Sequence, residues 1–233
     1  MPFFFLPDRY YILLVIPAML IALWAQMRVK SAFAQYSRVT VFSGLTGAQA
    51  ARRILDANGL SNVRIEMVPG NLSDHYDPSA QVVRLSQDVY AKSTVAAVGV
   101  AAHETGHAIQ HAVGYAPLTL RNAIIPLTNI GSGLSIPLVL IGLFMGLQSL
   151  VTLGILLFSL VTVFQLITLP VEFNASRRAL QTLENYNMVT EQEQEGVQRV
   201  LTAAALTYVA ALIVSVANLL RLILLFGGRR DDR

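Results

Sequence analysis

Residues 124–169 read IIPLTNIGSGLSIPLVLIGLFMGLQSLVTLGILLFSLVTVFQLITL, and no charged side chain interrupts them. A helix that crosses a bilayer needs about 20 predominantly apolar residues. The stretch holds two such runs, residues 124–147 and 151–169, divided by the polar pair Gln148 and Ser149. It therefore reads as a tight membrane hairpin. Two further apolar runs lie outside it, residues 10–27 with Pro17 inside, and residues 201–226 with Arg221 near the end, able to snorkel toward an interface. The first could be read as a signal peptide. It lacks a small-residue cleavage site, and Trp24, Gln26, Met27 and Arg28 look like an interfacial helix end, so we read it as a retained anchor.

Composition agrees with lipid as part of the solvent. The chain of 233 residues is 54% hydrophobic and 13% charged, where a soluble domain carries about 25% charged residues. The net charge is +3. The basic residues sit mostly beside apolar segments instead of clustering with aromatics, which speaks for membrane orientation and against a nucleic-acid partner. There is no cysteine. Disulfides and thiolate ligands are thereby excluded, and any metal site must use histidine and carboxylate.

The sizeable polar region, residues 28–122, lies between the anchor and the hairpin. Residues 46–58 have helical periodicity with Gly59 as a stop, residues 63–67 alternate like a strand, residues 71–79 read as a loop, and residues 81–85 form a second strand candidate. The two strands read as a hairpin, with residues 81–85 a candidate edge for pairing an extended substrate. Ser93 can cap a helix that continues to Val113, with Gly114 as its stop. Beyond the hairpin, residues 174–186 read as a helix and the acidic run Glu191 to Glu195 as a solvated face or linker. Gly142 and Gly146 make a G-x-x-x-G packing face.

The helix after Ser93 carries His103-Glu104-Thr105-Gly106-His107. Histidines four apart stand one turn above the other on one helix face, so both imidazoles can reach one zinc ion at ~2.0–2.1 Å. Glu104, next to the first ligand, can hold a water on the metal and take its proton. His111 lies ~12 Å along the axis from His103, at ~1.5 Å per residue, too far for the same ion. The third ligand must come from elsewhere, and Glu172 is the candidate. It follows the third span directly, where a carboxylate is costly unless paired or bound. Two spans separate His107 from Glu172, so both lie on one side of the membrane. Ser176, one turn on, could bond to a ligand. Asp74, His75, Tyr76 and Asp77 form a second polar cluster, in which His75 or Tyr76 could donate to an oxyanion.

At these residues the chain resembles the YugP-like family of neutral zinc metallopeptidases of bacterial membranes. The resemblance rests on residues 71–78 (NLSDHYDP), 102–111 (AHETGHAIQH) and 171–178 (VEFNASRR). More distantly it is similar to HtpX-type membrane proteases, whose glutamate ligand sits in a Glu-x-x-Ala-Asp pattern. Glu172 and Ala175 fit that pattern, with Ser176 in place of the aspartate. The resemblance implies a gluzincin-type site with one zinc ion, acting on membrane or misfolded proteins.

The expected fold class is mainly α: a polytopic membrane protein with four transmembrane helices and a small α+β zincin-like catalytic region. Its expected parts are an anchor (1–27), a catalytic region (28–122), a transmembrane hairpin (123–170), a helix with the third ligand and an acidic linker (171–200), and a last span with a basic tail (201–233). The expected partners are a protein or peptide substrate and the lipid bilayer, with a membrane-protein partner or a second copy left open. The expected location is the bacterial plasma membrane. Arg28, Lys30, Arg38, Arg121, Arg177, Arg178 and Arg199 outweigh Arg9, Arg229, Arg230 and Arg233 across it, which puts the site on the cytoplasmic side. Two rival readings are a scaffold with a structural zinc, whose fourth ligand would be His75, His111 or a nearby Asp, and an intramembrane protease. The second needs a ligand inside a span, usually Asp, and no span interior has an Asp or Glu.

Overall fold

The computed structural model describes residues 8–227. The basic tail at Arg229, Arg230 and Arg233 lies outside the described residues. The chain is mainly helical with one small sheet. After a π-helical turn (Tyr11–Val15) come α1 (Ile16–Tyr36), α2 (Gly47–Ala57), β1 (Arg64–Val68), β2 (His75–Asp77), β3 (Val82–Ser86), α3 (Gln87–Ala91), α4 (Val95–Ala112), α5 (Ala116–Met145), α6 (Gln148–Asn185) and α7 (Glu191–Phe226). Among the described residues, four helices are long and apolar enough to cross a membrane: Tyr11–Tyr36, Ala116–Met145, Gln148–Asn185 and Glu191–Phe226.

The residues divide into two compact units. Among the described residues the first comprises 8–25, 120–169 and 207–227. Within it α5 and α6 form the expected hairpin, whose Val139 and Val151 cluster with Leu222 of α7. A Cβ on Gly142 would lie 2.8 Å from the Val151 backbone nitrogen. This glycine of the G-x-x-x-G thus serves the hairpin's own close packing. Arg221 reaches a carboxylate that precedes the first candidate span. It is buried, and its Nη2 lies 2.6 Å from the Asp8 carboxylate. An arginine among apolar helices is held by an ion pair wherever a carboxylate is in reach, because an unpaired buried charge is costly.

The second unit comprises residues 26–119 and 170–206. Helix α4 runs through its centre. One side packs Val95, Val98, Ala102 and Ile109 against Ala179 and Leu183 of α6 and Val197 of α7. The other packs Ala101 and Ala108 against Leu55 of α2 and Val83 and Leu85 of β3. Small residues on both sides let helix and sheet approach closely.

Several local expectations are corrected. The strands do not form a hairpin. Their order is β1-β3-β2, with β1 parallel and β2 antiparallel to β3. The predicted loop at residues 71–79 contains β2. The turn signals there were real: Asp77 Oδ1 accepts from the backbone N–H of Ser79 and Ala80. Pairing of Tyr76 with Val83 overrides them. The segment 81–85 is therefore the central strand and not an edge, with β1 along one side and β2 along Val82–Arg84 on the other. Thr94, not Ser93, caps α4, its Oγ1 accepting from Ala97 N at 3.3 Å. Residues 174–186 continue α6 through Pro170 instead of starting a new helix. The acidic run is no linker but the first turn of α7, where Thr190 and Glu193 cap each other's backbone N–H reciprocally and acidic side chains suit the dipole.

Candidate metal centre

His103 and His107 project from one face of α4, their ring centroids 4.8 Å apart and their planes nearly perpendicular. Glu172 of α6, 3% exposed, meets them. Its Oε2 lies 3.3 Å from His103 Nε2 and 3.7 Å from His107 Nε2. One donor atom from each of the three falls within 4.8 Å of the others. Four-coordinate zinc with bonds of ~2.0–2.1 Å sets its ligands ~3.3–3.4 Å apart. The two Glu172 distances match that spacing to within a few tenths of an ångström, and the widest pair of the trio, within 4.8 Å, would draw in by up to about 1.4 Å around one ion.

Gly106 makes the meeting possible. A Cβ there would lie 2.7 Å from the Ala175 carbonyl oxygen and 3.2 Å from its carbon. The two backbones thus touch between the histidine pair of α4 and Glu172 of α6, and no side chain fits at position 106.

The outward nitrogens are also engaged. His107 Nδ1 lies 3.0 Å from Gln110 Oε1, and His103 Nδ1 lies 3.2 Å from Ser176 Oγ. Gln110, fully buried, donates from Nε2 to the Val171 carbonyl (2.8 Å) and to Asn174 Oδ1 (3.0 Å). Arg178 Nε donates to the same Asn174 oxygen at 2.8 Å. With its amide nitrogen spent on two acceptors, Gln110 presents its oxygen to His107. Nδ1 then carries the proton and Nε2 keeps the lone pair that a metal requires. Ser176 sits where the sequence put it. The sequence reading does not place Gln110, Asn174 and Arg178 there, although Gln110 follows His107 by three residues and Arg178 follows Asn174 by four, spacings that share a helical face.

Glu104 is 8% exposed. Burial drives its carboxyl above the ordinary range, His103 and His107 pull it back, and Glu172 adds to the rise. Burial opposes charge on His107 too, yet Glu172 and Glu104 hold its pKa above the usual value. Two buried carboxylates beside two imidazoles call for a cation or for protons, so binding a divalent ion here displaces protons.

The second polar cluster divides. Asp74 accepts from Ser86 N (2.7 Å) and Ser86 Oγ (3.1 Å). Strand alternation sends Tyr76 and His75 to opposite faces of the sheet. Tyr76 packs toward α4, and its hydroxyl lies 2.9 Å from His111 Nδ1. His75 turns the other way, donating from Nδ1 to the Ser73 carbonyl (2.8 Å), with Arg84 Nη1 3.5 Å from its Nε2. The structure thus brings His103, His107 and Glu172 together beside Glu104 and leaves His75 on the far face of the sheet.

Comparison with known proteins agrees with this chemistry. The family model described as "Putative neutral zinc metallopeptidase" matches residues 11–227. "Putative membrane protease YugP" of Bacillus subtilis (strain 168) is 51% identical over 222 residues, covering 95% of this chain and 99% of that protein. No solved structure matches.

Replacing Gln110 by Leu removes the bond that orients His107. Zinc affinity, measured by competition with a chromophoric chelator, is expected to fall by about 10–100-fold, and Gly106→Ala is expected to weaken it as well by forcing α4 and α6 apart. Unchanged affinity in both variants would contradict the geometry described for this cluster.

Proposed function

Since the chain belongs to the family of neutral zinc metallopeptidases, we propose that it is a membrane-bound endopeptidase, with one zinc ion held by His103, His107 and Glu172 in a gluzincin-type arrangement and Glu104 as general base. The observation that carries this reading is the convergence of three donor atoms beside a fourth, buried carboxylate that is not one of them. When bound, zinc supplies Lewis-acid polarisation of the scissile carbonyl and lowers the pKa of a water toward 7. Glu104 accepts a proton from the attacking water as its oxygen bonds to the carbonyl carbon. Collapse then breaks the C–N bond, and Glu104 returns the proton to the departing nitrogen, leaving a carboxylic acid and an amine. Gln110 keeps His107 in the tautomer that exposes Nε2, and Ser176 orients the His103 ring through its Nδ1.

A structural zinc would have four protein ligands. His75 faces away, His111 is bonded to Tyr76, and Asp74 is taken by Ser86. These engagements favour an open fourth position and hence catalysis. The four candidate spans and the relative's description as a membrane protease support membrane-associated or misfolded proteins as substrates. Purified Glu104→Gln is expected to retain its zinc while its cleavage of an unfolded protein falls at least ~100-fold, in keeping with loss of a general base. Cleavage at the wild-type rate would remove Glu104 from the mechanism.

The excess of arginine and lysine flanking the site-bearing segments supports a cytoplasmic site in the bacterial plasma membrane. With four spans, the C-terminus then lies outside. A C-terminal alkaline phosphatase fusion is expected to be active, and an active C-terminal cytoplasmic reporter in its place would reverse the orientation.

A further inference from the structure

Tyr76 occupies the middle of β2, an edge strand, and stands opposite Val83. Half buried, it packs against the cluster that holds Ala101 and Ala108 of α4. Its hydroxyl is 2.9 Å from His111 Nδ1. At ~100° per residue, His111 falls within ~20° of Glu104 around α4 and ~40° from His107, and it stands one turn beyond His107. The phenol therefore reaches α4 along the strip that borders both the general base and one of the proposed ligands. Neither Tyr76 nor His111 belongs to the histidine–carboxylate trio, and the mechanism above leaves both unused.

The geometry points to Tyr76 as a catalytic residue and His111 as its positioning residue. The Tyr76 hydroxyl donates to the oxyanion that develops on the scissile carbonyl, while His111 Nδ1–H donates to the phenol oxygen and aims it. This rests on the peptidase reading. The role requires the tautomer in which His111 Nδ1–H donates across the 2.9 Å contact, since a phenol that accepts from His111 keeps its proton for substrate and donates it more strongly. Burial, with the nearby Asp77 charge, pushes the phenol above its ordinary pKa, so the donor proton is present at neutral pH. Tyr76 packs against α4 through its ring, which Phe would retain, so the hydroxyl alone can be removed. His75 cannot substitute, since it points off the opposite face toward Arg84.

The test uses the full chain in lipid nanodiscs with stoichiometric zinc, fluorescein-labelled casein as the unfolded substrate and a phosphinic peptide as a tetrahedral anion mimic. Tyr76→Phe is expected to keep its zinc and its melting temperature. Its kcat is expected to fall ~10²–10³-fold, the usual loss for one oxyanion donor. KM should stay within about threefold and the phosphinic Ki should rise by a factor close to the kcat loss, the pattern of a contact made in the transition state. His111→Gln, whose amide can still donate, should retain more kcat than His111→Leu. A Tyr76→Phe enzyme with wild-type kcat, or one that loses kcat only in proportion to lost zinc, overturns the assignment. A zinc-loaded wild type with no more cleavage than Glu104→Gln marks failure of the peptidase reading instead, and takes the assignment with it.

Discussion

The contact between α4 and α6 at Gly106 and Ala175 is the constraint on which the site depends. Two imidazoles a turn apart are easily supplied by one helix. A carboxylate at metal-ligand distance from both must come from another element, and the reach of Glu172 is short. Its backbone must come close to α4, and the first β-carbon at position 106 would block that approach by meeting a backbone oxygen at 2.7 Å. Glycine inside a helix costs about 1 kcal/mol relative to alanine. Here that cost is offset by the packing of Ala102 and Ile109 against Ala179 and Leu183 just beyond the contact and by the polar bonds that cross between the helices.

Those bonds make the contact specific. Gln110 bridges from α4 to Val171 and Asn174, Arg178 secures Asn174, and Ser176 reaches back to His103. The same groups that tie the helices also decide which imidazole nitrogen is free. Under the proposed metal site, metal affinity and helix docking would therefore be coupled. The buried Glu104 completes the balance. Its carboxylate would be an unfavourable neighbour to Glu172 in a low-dielectric interior, and a divalent ion between the imidazoles relieves that repulsion.

Much of this was legible in the chain. The uncharged run 124–169 announced a hairpin, and the spacing of His103 and His107 announced a shared face. Glu172, singled out by its place directly after the third apolar run, stands beside both imidazoles. Thr46 and Gly59 marked the ends of α2, where Thr46 forms a capping box with Gln49. What failed were features decided by distant partners. A three-residue strand such as His75–Asp77 has too little pattern to rise above its turn-forming neighbours, and it exists because β3 pairs with it. The parallel pairing of β1 with β3 could not be told from a hairpin by periodicity. The acidic run that opens α7 is solvated, as one of its two readings had it, but helical and not a linker, because the Thr190 capping box starts a helix there. The role of Gln110 was hidden for a related reason. An amide becomes informative only when its acceptors on another helix are known. His75 and Tyr76 were equivalent in sequence, and only strand direction separated them.

The central claim is that Glu172, delivered across the Gly106 contact, is a direct ligand of the metal bound by His103 and His107. Zinc K-edge X-ray absorption on the purified protein, wild type beside Glu172→Ala, tests it most directly. The account predicts one zinc per chain in the wild type, with two imidazole nitrogens and carboxylate oxygen at ~2.0–2.2 Å, and loss of that coordination or of the metal itself in Glu172→Ala. Stoichiometric zinc with the same coordination sphere in both proteins would contradict it.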